Sequence, residues 1–244
     1  MPAKLPPMPS PQLSILIPVY NERARVRAAI DQVLKTEYPV DDVELVVVDD
    51  GSTDGTAEIL RELAVDDRIS LVVHERNAGK GEAVKTAIRS ANGVYAAIMD
   101  ADLEYDPADI GRLLEPILAG EAEVAFGSRG FDSHTAFSFW YVMGNKGVTL
   151  VANLLFNCYL SDIMTCHKVM PLAIWRELNL RCTGFDIEPE ITGKVLAHGH
   201  RIYEVPVRYR ARGRAEGKKL TAVDGLRVVL TLSRCRVGML RNGG

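Results

Sequence analysis

Tyr95-Ala-Ala-Ile-Met-Asp-Ala-Asp-Leu-Glu-Tyr-Asp-Pro107 is the stretch on which the reading of this chain turns. Tyr95 to Met99 is small, aromatic or apolar and carries no charge, the composition of a buried strand. It runs straight into Asp100, Asp102, Glu104 and Asp106, four carboxylates in seven residues. In an open parallel sheet, ligands bind beyond the carboxyl ends of the strands. Carboxylates crowded there repel one another unless something positive sits between them, and a hard divalent cation with oxygen ligands suits that role. Asp106 has a plainer reading, because Asp106-Pro107-Ala108-Asp109 is an N-cap, a proline at the first helical position and an acid in the first turn. Asp100 and Asp102 are read as metal and substrate ligands, the alternative being a solvated turn.

Working outward, the chain alternates strands and helices. Leu13 to Pro18 reads as a buried strand, and Val26, Ile30, Val33 and Leu34 recur at helical spacing. Val43 to Val48 is a near-continuous apolar strand entering Asp49-Asp50-Gly-Ser-Thr-Asp54, where Thr53 or Asp54 can cap a helix carrying Ile59, Leu60 and Leu63. Ile69 to Val73 is a third strand, followed by Asn77-Ala-Gly-Lys-Gly81 and another helix. After the opening segment comes a helix with Ile110, Leu113, Leu114, Ile117 and Leu118 on one side. Val124 to Phe126 is then a fifth strand, leading to Arg129. This alternation predicts an α/β fold, a mostly parallel central sheet with right-handed crossovers and flanking helices. Beyond Arg129 it stops. Tyr141 to Tyr159 and Glu188 to Leu196 read as helices around a polar interruption at Asp162 to Lys168, and Arg201 to Val207 as a short strand. Thr221 to Asp224 resembles a capping box opening a last helix to about Val237.

Bulk properties narrow the function. The length of 244 residues and 47% hydrophobic content accommodate one large domain with a sizeable core. The net charge of -3 divides unevenly: Arg201 to Arg241 carries +8 and the remainder -11. The basic part is therefore a segment seeking a negative partner. Nucleic acid fits poorly, since only Tyr203 and Tyr209 supply stacking rings there. Cys158, Cys166, Cys182 and Cys235 form neither a CxxC pair nor zinc spacing, which points to a reducing, cytoplasmic setting. Residues 1–12, with five prolines, read as a flexible leader. No run of about 18 uncharged apolar residues offers a membrane span.

Familiar motifs are missing. No G-x-G-x-x-G follows a strand, Ala78-Gly-Lys-Gly81 is not a Walker loop, and neither HExxH nor G-x-S-x-G occurs. What remains is acidic loops after the second and fourth strands and a loop carrying Lys80. Pro18-Val-Tyr-Asn-Glu22 adds a ring that can stack on a base, and Asp50 can accept from a base or ribose hydroxyl. Asp102, with Glu104, would hold a divalent ion against a diphosphate. Together they describe a nucleotide-diphosphate site built from side chains.

Ile17-Pro-Val-Tyr-Asn-Glu22, Val46-Val-Val-Asp-Asp-Gly-Ser-Thr-Asp54, Asn77-Ala-Gly-Lys-Gly81 and Asp100-Ala-Asp102 resemble, in order and spacing, the signature loops of family 2 glycosyltransferases with the GT-A fold. Ser161 to Lys168, Gly184 to Glu190, Glu204 to Tyr209 and Glu216 to Lys219 resemble the dolichyl- and polyprenyl-phosphate sugar transferase branch. The resemblance implies that Pro18, Tyr20, Glu22, Asp50, Lys80 and Asp100 meet the nucleotide and that Asp102 and Glu104 hold Mg2+ or Mn2+. It also makes Arg129, Arg212 and Lys218 contacts for the acceptor phosphate. Asp100, Asp102 and Arg129 are the residues on which catalysis would turn. The chain departs from the branch at Glu104, where mannosyl-transferring members usually have Gln, and at His167, where Tyr or Phe is usual. Many members also carry transmembrane helices. Residues 13–240 are accordingly expected to form one domain: 13–130 for the nucleotide-sugar, 131–220 for the acceptor and 221–240 as an amphipathic helix.

The expected reaction moves a hexose from a nucleotide-diphosphate sugar to a polyprenyl phosphate with inversion. The expected location is peripheral, on the cytoplasmic face of a membrane. Arg227, Arg234 and Arg241, spaced by seven, lie near one face of the last helix while Val223, Leu226, Leu230 and Val237 occupy another, a pattern suited to an anionic bilayer surface. A same-fold transferase with a soluble acceptor and a catalytically silent nucleotide-sugar-binding module are the alternatives. A membrane-protein partner or a homo-oligomer remains open.

Overall fold

A computed structural model describes residues 12–129, 139–210 and 222–242. Arg212 and Lys218, nearly all of the leader and the opening of the capping box lie outside them. The elements run β1 (Leu13–Val19), α1 (Val26–Lys35), β2 (Val43–Asp49), α2 (Thr56–Leu63), β3 (Ile69–Val73), α3 (Lys80–Ser90), β4 (Tyr95–Ile98), α4 (Ala108–Leu118) and β5 (Val124–Ser128). Then follow α5 (Phe139–Phe156), β6 (Lys168–Pro171), α6 (Leu172–Glu177), α7 (Ile187–Ala197), β7 (Ile202–Pro206) and α8 (Ala222–Asn242).

Seven strands form one sheet in the order β3-β2-β1-β4-β6-β5-β7. The first four positions are parallel, with Ile15 of β1 opposite Leu45 of β2 on one side and Ala97 of β4 on the other. Every residue of Leu13 to Ile17 and of Leu45 to Val48 is buried, as expected of strands covered on both faces. Pro18 is tolerated inside β1 because it lies beyond Leu16–Ile98, the last pair shared with β4, so no ladder bond is lost there. The chain leaves β1 for β2 on one side and reaches β4 on the other. The carboxyl ends of β1 and β4 therefore flank the crevice where the strand order reverses.

The fourth and fifth strands are not neighbours. β6, read from the sequence as the end of a polar interruption, inserts antiparallel between β4 and β5. Its first residue, Lys168, is fully buried, and its ammonium is satisfied by Glu188 and the Thr165 carbonyl. An apolar-pattern search passes over such a strand because the charge inside it is neutralised by residues remote from it. α6 was also unforeseen. It seats Trp175, whose indole N–H donates to the Ala96 carbonyl at 2.9 Å. Neither Thr53 nor Asp54 is the N-cap of α2: Gly55 occupies that position, and Asp54, one residue earlier, accepts from the Thr56 amide at 3.0 Å and its hydroxyl at 2.6 Å. The main core wraps both faces of the sheet. A smaller cluster of Ala152, Leu160, Ile163, Val228 and Leu232 joins α5 to α8.

Candidate active site

The exits of β1, β2 and β4 and the loop before α3 carry the residues singled out in the sequence. Asp50, 2% exposed, binds that loop: Oδ1 lies 2.7 Å from His74 Nδ1 and accepts from the Ala78 amide at 2.9 Å, while Oδ2 accepts from the Gly79 amide at 2.8 Å. A carboxylate has about four acceptor positions, and these contacts fill three of them among the described residues. Its neighbour Asp49, equally buried, accepts from the Ser52 amide through Oδ1, and its Oδ2 has no partner among the described residues. The loop held by Asp50 presses on residues 182–184. Gly79 has a φ of +99° and Gly81 donates to the Thr183 carbonyl at 2.7 Å; a side chain at either would collide with that backbone. Tyr20 is half exposed at the exit of β1, and Glu22 pairs with Arg25 at 3.6 Å while its carbonyl accepts the first amides of α1.

The four carboxylates of the deciding stretch have separate fates. Asp100 turns inward to Lys80, whose Nζ lies 2.8 Å from Oδ1 and 3.0 Å from Oδ2. The same ammonium is 3.1 Å from Glu188 Oε1, an ion pair without hydrogen-bond alignment, and the other Glu188 oxygen meets Lys168. Asp100, Lys80, Glu188 and Lys168 thus alternate in sign and sum to zero, the condition under which buried charges are tolerable. Burial opposes the ionisation of Asp100, but Lys80, the Cys166 thiol and His167 together hold its carboxyl below the ordinary range. Burial likewise works against the Lys80 ammonium, and the negative groups around it override that and raise its pKa well above the usual value. Lys168 and Glu188 lie in two segments that carry the resemblance but were not named as site residues, since nothing in the sequence links residues 80, 100, 168 and 188.

Asp102 and Glu104 are half-buried on the loop itself. Leu103 takes a left-handed φ of +64°, which lets Asp102 Oδ1 accept the Glu104 amide at 3.0 Å. Glu104 Oε2 receives the Tyr209 hydroxyl at 2.5 Å, and the Glu104 carbonyl receives the Arg210 amide at 2.8 Å. Burial first, then Tyr105 and Glu104, push the Tyr209 phenol far above its usual pKa, so it remains a donor. Asp106 accepts from the Ala108 amide at 3.0 Å, in keeping with its capping reading, although Pro107 holds the N-cap position.

Arg129, at the end of β5, is 10% exposed and bidentate to Asp162, with Nε to Oδ2 at 2.6 Å and Nη2 to Oδ1 at 3.0 Å. Its guanidinium also lies over the Tyr209 ring, 5.1 Å from the centroid. Behind this group His167 is fully buried, its ring 4.5 Å from that of Tyr105. Burial pushes its pKa down to about 4. Its Nε2 lies 3.1 Å from Met99 Sδ, which can only accept, so the proton belongs on Nε2 and Nδ1 is an acceptor without a partner among the described residues.

Among the described residues no three His, Cys, Asp or Glu side chains form a metal cage. Two carboxylates on one loop nonetheless match the donor set of a hard cation that takes one or two protein carboxylates and completes its shell with water and substrate phosphate.

Residues 14–171 match the model of glycosyl transferase family 2. The chain belongs to that family. It is 28% identical over 209 residues to the low-salt glycan biosynthesis hexosyltransferase Agl6 of Haloferax volcanii, covering 83% of this chain and 49% of that one. It thus spans about half the length of that relative. It is 27% identical over 215 residues to the polyprenol monophosphomannose synthase of Mycolicibacterium smegmatis, covering 84% and 79%. The solved glucosyl-3-phosphoglycerate synthase of Mycobacterium tuberculosis, in complex with Mn2+, UDP and glucosyl-3-phosphoglycerate, superposes with a TM-score of 0.68 at 22% identity, covering 92% of this chain and 80% of that one. The family 2 sheet expected from the sequence, the GT-A fold, is therefore the architecture found.

Proposed function

We propose that this family 2 chain is an inverting hexosyltransferase that moves a hexose from a GDP- or UDP-linked sugar to a polyprenyl monophosphate. The observation that carries the reading is the half-buried Asp102–Glu104 pair at the carboxyl end of β4, beside the reversal of strand order. Tyr20 offers a ring for the base, and Asp49 and the last acceptor position of Asp50 offer oxygens for ribose or base hydrogens. Asp102 and Glu104 would hold Mg2+ or Mn2+, which supplies Lewis-acid stabilisation to a departing diphosphate. A phosphate monoester has its second pKa at about 6, so the acceptor arrives largely ionised and needs no protein base. The residues' work is then to bind two anions side by side. Arg129, and Arg212 and Lys218 beyond the described residues, are the cations assigned to the acceptor. Asp162 fixes the Arg129 fork, so its charge is already oriented when the acceptor arrives.

The acceptor implies a membrane surface, and α5 supports this. Phe139, Met143, Leu150 and Leu154 are exposed along one side of it, Leu154 by 75%, and α8 beside it exposes Leu226, Leu230 and Val237. No Asp or Glu occurs from residue 139 to 160, whereas Lys146, Arg227 and Arg234 are exposed on the two helices. No described helix is long and apolar enough to cross a membrane. An apolar face rimmed by cations instead suits a helix pair lying in the interface of an anionic bilayer.

The test is incubation of the full chain with radiolabelled GDP- and UDP-hexoses, Mn2+ and a polyprenyl monophosphate, followed by organic extraction. Label should enter the organic phase with the parent and stay aqueous with Asp102→Ala. Label found only in a water-soluble product would replace the lipid acceptor with a soluble one, and near-normal transfer by Asp102→Ala would refute the cation site.

A further inference from the structure

Tyr209 touches both halves of the site. Its hydroxyl fixes one oxygen of Glu104 at 2.5 Å, and its ring face carries the Arg129 guanidinium at 5.1 Å. The ring is itself braced by Tyr105, 5.0 Å away between centroids, and Tyr105 and Tyr209 form an isolated antiparallel bridge. Its neighbours fasten the same two segments together. The Arg208 amide donates to Asp109 Oδ2 at 2.8 Å, the Arg208 guanidinium reaches Asp106 at 3.1 Å, and the Arg210 amide donates to the Glu104 carbonyl. Tyr209 was no candidate in the sequence, because 105 residues separate it from Glu104.

We propose that Tyr209 is a positioning residue that couples Glu104 to Arg129, so that the cation and the acceptor phosphate bind interdependently. The inference rests on the reading of Glu104 as a cation ligand and Arg129 as an acceptor contact, and deepens it. A phenol donating to a carboxylate fixes the plane of that carboxylate, and with it the direction in which the other oxygen meets a cation. A guanidinium held over a ring depends on the position of that ring. Arg129 is bidentate to Asp162, so a small shift of the ring changes how the fork is shared between Asp162 and an incoming phosphate. Both ligands therefore act on one rigid aromatic group, and linkage requires that each change the affinity of the other by the same factor.

The full chain is titrated with Mn2+ in the presence of UDP or, separately, GDP, with and without farnesyl phosphate, and free Mn2+ is read by electron paramagnetic resonance. Farnesyl phosphate should tighten Mn2+ binding by about fivefold in the parent, the low end of ordinary coupling between sites. Tyr209→Phe keeps the ring and the Arg129 contact but loses the hydroxyl, so the two Mn2+ affinities should fall within about twofold of each other. A purely structural role would lower both affinities together and leave their ratio unchanged. An unchanged ratio in Tyr209→Phe, or a ratio of one in the parent with both ligands bound, overturns this inference alone. Mn2+ binding that Asp102→Ala leaves intact overturns the cation reading and this inference with it.

Discussion

Replacing His167 with Phe should remove a stability loss that the parent shows between pH 6.5 and 4.5. The imidazole is fully buried, stacked on Tyr105, and surrounded by Asp100, Asp106, Lys168 and Lys80; burial lowers its pKa from 6.5 to about 4. Above pH 6.5 it is neutral whether the chain is folded or not, and contributes nothing to the pH dependence. As the pH falls below 6.5 the unfolded chain takes up a proton that the folded chain refuses until about pH 4. The unfolded state binds more protons in that window, so stability falls with falling pH, by about 1.4 kcal/mol per unit and about 3 kcal/mol in all. The depressed carboxyls of Asp100 and Asp162 act at lower pH. Their contribution is intact above the ordinary carboxylate range and disappears only below it, outside the window.

Urea unfolding of parent and His167→Phe across this range measures the effect. The phenyl ring keeps the ring contact with Tyr105 and removes Nδ1, which has no partner among the described residues. Any overpacking by the larger ring shifts the whole curve without bending it. The difference between the two proteins should therefore change by about 3 kcal/mol over the window, the parent losing more stability than the variant, while the depressed carboxyls of Glu82 and Glu190 act on both alike. Parallel curves would mean that the imidazole is not held neutral by burial.

Further outcomes follow from the same geometry. Glu188→Gln leaves Lys80 with Asp100 and takes from Lys168 the carboxylate that neutralises it, and should cost about 3–5 kcal/mol in urea unfolding. Adding Lys168→Met restores the charge balance and should recover much of it, whereas a single variant as stable as the parent would dissolve the network as an energetic unit. Leu150→Glu with Leu154→Glu places two carboxylates on the exposed side of α5. Co-sedimentation with phosphatidylserine vesicles at low salt should fall at least about tenfold, and equal sedimentation would remove α5 from the membrane face.

The parallel half of the sheet was legible because strands buried on both faces are written as apolar runs, as in Leu13 to Ile17 and Leu45 to Val48. Helices were legible wherever one apolar stripe meets the sheet, as with Val26, Ala29, Ile30 and Val33 of α1. β6 was illegible for the converse reason: Lys168 breaks the run, and what makes its burial tolerable, Glu188, lies 20 residues away. The same distance effect governs the site. The position of the carboxylates beyond β4 could be read from the local sequence, but their division of labour could not. Lys80, 20 residues from Asp100, turns that acid inward, and Tyr209 approaches Glu104 from the other end of the chain. Arg129 was read as a cation for phosphate, and its bidentate partner Asp162 lay in a segment recognised by its resemblance but given no partner there.

That division of labour follows from charge. Four carboxylates within seven residues would lift one another's pKa values if all faced one space. The fold instead assigns Asp100 to Lys80, gives Asp106 the Ala108 amide and the Arg208 guanidinium, and leaves Asp102 and Glu104 half-buried on one loop. On the proposed function, a pair so placed would bind a cation without a third protein ligand, and such a site would become tight only when phosphate oxygens complete the shell. The cation and the diphosphate would then depend on each other for binding, which would tie the arrival of the metal to that of the donor. On the acceptor side the argument is the same with the signs reversed: Arg129 is held by Asp162 in the absence of ligand, so a buried guanidinium is never left without a counter-charge. On the proposed function, an incoming phosphate would have to share that fork with Asp162, which would favour a dianion that can compete for it over a neutral alcohol that cannot.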